Sequence, residues 1–163
     1  MNENSTPKSI LREKMRHELR AMNAEDRQSL SEEICEHVMR LREWQEAQSV
    51  VLFLPLPSEP VTEPLRLDCE ARNIPVFVIP QTARTETELH LPEAMDLMLV
   101  PGLAFSKDRH RLGRGGGFFD RLLAGRAAQA FKVGVCFSFQ LLDDVPTEAH
   151  DIVMDVVVTD NPG

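Results

Sequence analysis

The residues best suited to chemistry crowd into one stretch, Pro101 to Asp120 (PGLAFSKDRHRLGRGGGFFD). Toward its end, Gly113, Gly115, Gly116 and Gly117 are interleaved with Arg109, Arg111 and Arg114. Glycine lets successive main-chain N–H groups turn toward an anion, and arginine adds a fixed fork of donors that matches phosphate oxygens. A helix starting near Gly117 and running through Asp120, Leu122 and Leu123 would bring the partial positive charge of its N-terminus. The pattern predicts a polyphosphate cradle. It is not a Walker A loop, because no GK[ST] closes it, and Phe118 stands where a dinucleotide fingerprint needs its last glycine. A plain glycine-rich turn is the competing reading, and the arginines between 109 and 114 weigh against it. Asp120, an acid beside such a nest, is a natural magnesium ligand, since Mg²⁺ takes one or two carboxylates together with phosphate oxygens.

Two other segments offer polar groups. LPLPSEPVTEP carries Glu59 and Glu63 after an apolar run, and Glu59 could accept hydrogen bonds from a substrate's N–H groups; a solvated loop acid is the alternative. Pro146 to Asp155 (PTEAHDIVMD) offers His150, Asp151 and Asp155. If the fold joins them, Asp120 and Asp151 make a two-carboxylate magnesium site. His17, His37, His90 and His110 read most simply as surface residues.

The elements that must position these groups follow from apolar spacing. Leu11, Met15, Leu19 and Met22 recur at helical intervals between Pro7 and Met22. A second helix follows Asn23 as N-cap, with a stripe of Leu30, Ile34, Val38 and Leu41 and with Trp44 at its end. Short apolar runs at Ser49–Leu54, Pro75–Ile79, Asp96–Val100, Lys132–Phe137 and Asp155–Thr159 read as buried strands, with a helix from about Thr62 to Arg72 between the first two. Buried strands alternating with helices imply an α/β class chain, a three-layer α/β/α sandwich around a mostly parallel sheet. In such sheets ligands gather at the carboxyl ends of the strands, which is where all three loops begin.

Composition sets the surroundings. With 163 residues the chain suits a single domain over 1–163, with residues 1–6 and 161–163 as flexible ends. Hydrophobic residues at 42% and charged residues at 27% argue against disorder and against a membrane span. The formal charge of −8 argues against a nucleic-acid partner, which would need clustered cations in excess. Cys35, Cys69 and Cys136 form no CxxC pair and no zinc spacing, and read as small buried hydrophobes of a reduced, cytoplasmic protein. A monomer is the expected state.

The loops in this order resemble the 5-formyltetrahydrofolate cyclo-ligase (methenyltetrahydrofolate synthetase) family. PGLAF followed by RLGRGGGFFDRLL is similar to the family's RLG-x-G-x-G-[YF]-[YF]-D signature. KSILR resembles its N-terminal K-x-x-LR, FLPLPSE its folate-contacting strand exit, and Gln140-Leu141-Leu142, Pro146, His150-Asp151 and Val158-Thr159 its closing segment. The resemblance implies an ATP- and magnesium-dependent ring closure of a small-molecule folate, with ATP and Mg²⁺ as cofactors. The formyl oxygen would attack the γ-phosphate, N10 would then attack the activated carbon, and phosphate would leave. No nucleophile is required of the protein.

By the same resemblance, Lys8, Ser9, Ile10, Leu11 and Arg12 would meet the nucleotide from the first helix. Arg111, Leu112, Gly113, Arg114, Gly115, Gly116, Gly117, Phe118 and Phe119 would wrap its phosphates. Leu54, Glu59, Arg114, Gly116 and Phe118 would contact the folate, and Asp120 and Asp151 would hold magnesium. The chain departs from the family pattern in a short Pro80–Asp96 connector, in Phe118 and Phe119 where tyrosines are commoner, and in Ser106 where an Asp is usual after PGLAF. A non-catalytic relative that binds nucleotide or folate, and an ATP-using enzyme with another acceptor, are the alternatives.

Overall fold

The computed structural model describes residues 5–85, 89–149 and 151–161. Its centre is a five-stranded, wholly parallel sheet in the order β2-β1-β3-β6-β8. The strands are β1 (Val50–Phe53), β2 (Val76–Ile79), β3 (Leu97–Val100), β6 (Phe131–Val135) and β8 (Val156–Val158). Every residue of β1 and β3 is buried, so both faces of the sheet centre are covered. That explains why these strands read as unbroken apolar runs rather than as alternating ones. The expected α/β architecture around a mostly parallel sheet is borne out.

Helices α1 (Pro7–Arg20), α2 (Ala24–Met39) and α4 (Glu63–Ala71) supply much of the cover. Thr6 already caps α1: its hydroxyl accepts the Ser9 N–H at 3.0 Å, and the Ser9 hydroxyl accepts the Thr6 N–H at 2.8 Å. Residues 1–4 and 162–163, most of the expected flexible ends, lie outside the described residues. Asn23 caps α2 as expected, its side chain accepting the Asp26 N–H at 2.8 Å. Met15 and Leu19 of α1, and Ile34 and Val38 of α2, enter the core. Among the described residues no helix is long and apolar enough to cross a membrane.

Trp44 does not end the second helix. Leu41 turns extended at φ −65°, ψ 135°, and a separate helix α3 (Arg42–Glu46) follows. There Trp44 is fully buried and donates its indole N–H to Asp68 at 2.8 Å, with the Arg72 guanidinium 5.9 Å from its ring centre.

A second sheet was not expected. Three short strands, β4 (Ala104–Ser106), β5 (Arg111–Leu112) and β7 (Leu141–Leu142), pair in the order β5-β4-β7. They are only two or three residues long, too short to show a period of two. β4 packs on the central sheet through Phe105, whose ring lies over Gly134 of β6. A Cβ at Gly134 would meet the Phe105 ring at 2.6 Å and the Met154 side chain at 3.1 Å. Phe105 and Met154 are both buried, so neither can swing away. Gly134→Ala is therefore expected to destabilise the fold by about 1–3 kcal/mol through overpacking. Denaturant titration checks this, and an unchanged midpoint would refute the contact.

Candidate active site

Because the five strands are parallel, their carboxyl ends share one edge. The chain runs from β1 out to β2 and then crosses back to β3 on the other side of β1, so a topological switch lies between β1 and β3. A cleft opens there, with a volume of about 400 Å³. Its walls come from the three strand exits: Leu54, Leu56 and Glu59 after β1, Gln81 and Arg84 after β2, and Pro101 and Gly102 after β3. The glycine–arginine stretch closes the fourth side with Arg111, Gly113, Arg114, Gly116 and Gly117, and α5 (Phe118–Ala124) adds Phe118, Phe119, Asp120 and Arg121.

The glycine stretch hangs between two anchors. Before it, Leu103 N–H donates to Leu112 O at 2.8 Å, and the buried Gln140 donates its amide to Gly102 O at 3.1 Å and Leu103 O at 3.0 Å. After it, Leu122 and Leu123 of α5 are buried. Between these points Gly115 (φ +112°) and Gly117 (φ +74°) take left-handed conformations. Among the described residues, the main-chain N–H groups of 113–117 make no hydrogen bond within the chain. The carbonyls of Gly113, Arg114, Gly116 and Gly117, by contrast, are engaged. Arg12 donates to Gly113 O at 2.9 Å, Arg16 to Arg114 O at 3.0 Å, and Arg121 to Gly116 O at 3.0 Å.

Glu59 is only 6% exposed. Its carboxylate accepts the Leu56 N–H at 2.8 Å and faces Arg114 Nε at 3.4 Å, while Arg114 Nη2 donates to Ser58 Oγ at 3.1 Å. Arg27 of α2 braces the same turn from behind, donating to Glu59 O at 2.7 Å and Leu56 O at 3.0 Å. Glu59 is thus an organised cleft acid, not a solvated one. Glu63, the other acid read beside it, is on α4 and pairs with Arg66 at the surface.

Arg111 is buried, with its side chain 6% exposed. It donates to Pro101 O at 2.6 Å, approaches Asp120 at 3.3 Å, and lies 5.2 Å from the Phe119 ring centre. Burial lowers its pKa to about 10, opposed by the Asp120 and Glu59 carboxylates. It is charged at neutral pH. Phe118 and Phe119 meet edge to face with ring centres 5.3 Å apart.

Not every expected residue joins this cleft. Among the α1 residues, Arg12 touches the loop, Leu11 packs against the core, and Ile10 is exposed. Ser9 serves the helix cap, and Lys8 pairs with Glu148 at 3.2 Å. Asp120 lines the cleft with its carboxylate 61% exposed, whereas Asp151 is not among the lining residues. The Asp151 carboxylate instead accepts the Glu148 N–H at 2.6 Å, in the turn that Lys8 contacts. Asp155 accepts the Lys132 N–H at 2.7 Å and ties β6 to β8. His150 lies outside the described residues.

Of the remaining histidines, His17 and His90 are exposed, but His37 and His110 are half-buried, and His37 Nδ1 lies 2.8 Å from Thr159 O. The cysteines are buried and unpaired, as read; burial pushes the thiols of Cys35 and Cys69 up to about 12 and about 11, and Cys136 higher still.

Sequence reading missed Arg16, Arg27, Gln81, Arg84 and Arg121. Arg121 was in view, directly after Asp120. The others sit on helices or in the connector, where only the fold shows what they reach.

The sequence profile of the 5-formyltetrahydrofolate cyclo-ligase family matches residues 4–92 and 78–160. The chain belongs to this family. It is an enzyme family, and relatives that carry the cyclo-ligase name span its length. A mouse 5-formyltetrahydrofolate cyclo-ligase is 26% identical over 195 aligned positions, covering 97% of this chain and 96% of the relative. One from Mycolicibacterium smegmatis is 46% identical over 68 positions, but that match covers 42% of this chain and 35% of the relative. Among solved structures, the Aquifex aeolicus 5,10-methenyltetrahydrofolate synthetase superposes with a TM-score of 0.79 at 30% identity, over 95% of this chain and 90% of that one. The Mycoplasma pneumoniae synthetase gives 0.81 at 23% identity, over 96% and 100%, and supports the fold.

The glycines of the family signature can be tested separately. A Cβ at Gly117 would combine a positive φ with an approach of 2.9 Å to Arg121 Nη1, while one at Gly116 meets nothing within 4 Å. Gly117→Ala should cost about 1–3 kcal/mol of stability. Gly116→Ala should stay within about 0.5 kcal/mol of the parent. Thermal melts of the pair check this; equal losses would mean that the loop adopts another conformation.

Proposed function

We propose that this chain converts 5-formyltetrahydrofolate to 5,10-methenyltetrahydrofolate with consumption of ATP. The observation that carries the reading is a single cleft in which undonated loop amides and the buried Glu59 face the same space. Arg84, Arg111, Arg114 and Arg121 outnumber Glu59 and Asp120 in its lining, so the cleft favours anions although the whole chain is acidic. Phosphoryl transfer needs little covalent help from a protein; it needs alignment and neutralised charge.

The amides of 113–117 bind the phosphates of ATP, Arg114 adds a cation, and Arg12 holds the loop from α1. The apolar wall of Leu54, Leu56 and Phe118 receives the pterin, and Glu59 accepts from its N–H groups. In this pose the formyl oxygen bonds to the γ-phosphorus as the bond to ADP breaks. N10 then bonds to the formyl carbon, phosphate leaves from that carbon, and N10 gives up its proton. Magnesium, when bound, neutralises phosphate charge. Asp120 suits it as a mostly exposed carboxylate at the cleft, since Mg²⁺ needs only one or two from the protein. Among the described residues no cluster of three or more acids, histidines or cysteines offers an all-protein metal cage, which agrees with a metal carried in on the nucleotide. Asp151 remains the second carboxylate of the proposal, to be tested separately. A monomeric, cytoplasmic enzyme is the setting this reading assumes.

Purified protein with Mg²⁺-ATP and 5-formyltetrahydrofolate should develop the near-ultraviolet absorbance of the methenyl product and release ADP in equal amount. Binding of both ligands without turnover would select the binding-only relative, and ADP release with a different acceptor would select another ATP-using enzyme. Asp120→Asn is expected to lower kcat by about a hundredfold or more with little change in melting temperature, since Arg111 keeps its bond to Pro101 O. Arg114→Ala is expected to raise the KM for ATP by about tenfold. Parent-like kinetics in either variant would remove that residue from the site.

A further inference from the structure

The carbonyl contacts of the glycine stretch show a division of labour that goes beyond ligand contact. A peptide group is planar and trans, so fixing a carbonyl oxygen fixes the following N–H in the opposite direction. Arg12 at Gly113 O sets the Arg114 N–H, Arg16 at Arg114 O sets the Gly115 N–H, and Arg121 at Gly116 O sets the Gly117 N–H. A loop with this many glycines would otherwise sample many peptide orientations, because glycine has the most backbone freedom to lose.

Arg121 does something that the two α1 arginines do not. Its Nη1 donates to Gly116 O at 3.0 Å while its Nη2 donates to Arg84 O at 3.2 Å. Arg84 belongs to the connector after β2, which forms a different wall of the same cleft. The guanidinium is seated directly on the loop, since a Cβ at Gly117 would come within 2.9 Å of it. We infer that Arg121 is a positioning residue: its forked guanidinium clasps the nucleotide loop and the connector together, orienting the Gly117 amide and joining two walls of the cleft. The inference deepens the proposed function and rests on its nucleotide reading. A lysine carries all its donors on one nitrogen, so it does not reproduce a clasp whose two bonds leave separate nitrogens of a planar fork.

The test begins with the parent protein. Calorimetry with Mg²⁺-ATP and the ring-closure assay must both give a signal; failure of both overturns the proposed function itself, and this inference with it. Given a working parent, Arg121→Gln should raise the Kd for Mg²⁺-ATP by about tenfold, the loss expected for a charged hydrogen bond. It should raise the KM for 5-formyltetrahydrofolate in the same direction, because the connector wall is released as well. Arg121 is exposed, so the melting temperature should stay within about 2 °C of the parent, as for other surface changes. Arg121→Lys should remain several-fold impaired despite its charge. Parent-like affinity in Arg121→Gln, full recovery in Arg121→Lys, or an affinity loss matched by a fall in melting temperature would each overturn the clasp.

Discussion

The cleft depends on which way a few peptide groups face. Residues 113–117 could close on themselves, amide to carbonyl, and leave nothing for a ligand. Arginines from α1 and α5 instead hold the carbonyls of Gly113, Arg114 and Gly116 from outside, and the amides of the stretch are left without partners among the described residues. Helix α1 is therefore more than cover for a sheet. Arg12 and Arg16 reach a loop about a hundred residues away in sequence, and that contact ties the N-terminal segment to a wall of the cleft.

Charge is arranged on a similarly local scale. The chain as a whole is acidic, yet among the charged residues that line the cleft guanidinium groups outnumber carboxylates. Burying Arg111 has an electrostatic cost, which Asp120 and Glu59 oppose and the Pro101 carbonyl helps to offset. Glu59 in turn is held by a main-chain amide and by Arg114. Each buried charge at the site is thus another's partner, and a change at one position is felt at the next, as expected of groups that share one network.

The strands, the first two helices and the glycine loop were legible because each has a signature that local physics imposes: unbroken apolar runs for strands covered on both faces, helical spacing with an Asn cap, and glycines where φ turns positive. The small sheet was not legible, since strands of two or three residues leave no period to detect. Nor was the break at Leu41, which no glycine or proline marks. For the site, Glu59 and Asp120 were found from their place at a strand exit and a helix start. The sequence pairing of Asp120 with Asp151 is not matched by any contact in the described residues. Arg27 and Arg84 could not have been found at all, because what they brace is defined only after β1 and β2 have brought distant loops to one edge.

Trp44 carries a practical consequence. The chain has one tryptophan and no tyrosine, so its ultraviolet emission comes almost wholly from a single indole. That indole is sealed between α3 and α4, bonded to Asp68, and is not part of the cleft lining. Fluorescence from this protein therefore reports whether the chain is folded, with little direct signal from what occupies the cleft. Unfolding curves recorded through it with and without a nucleotide would measure ligand stabilisation free of spectral interference from a bound aromatic at the reporter.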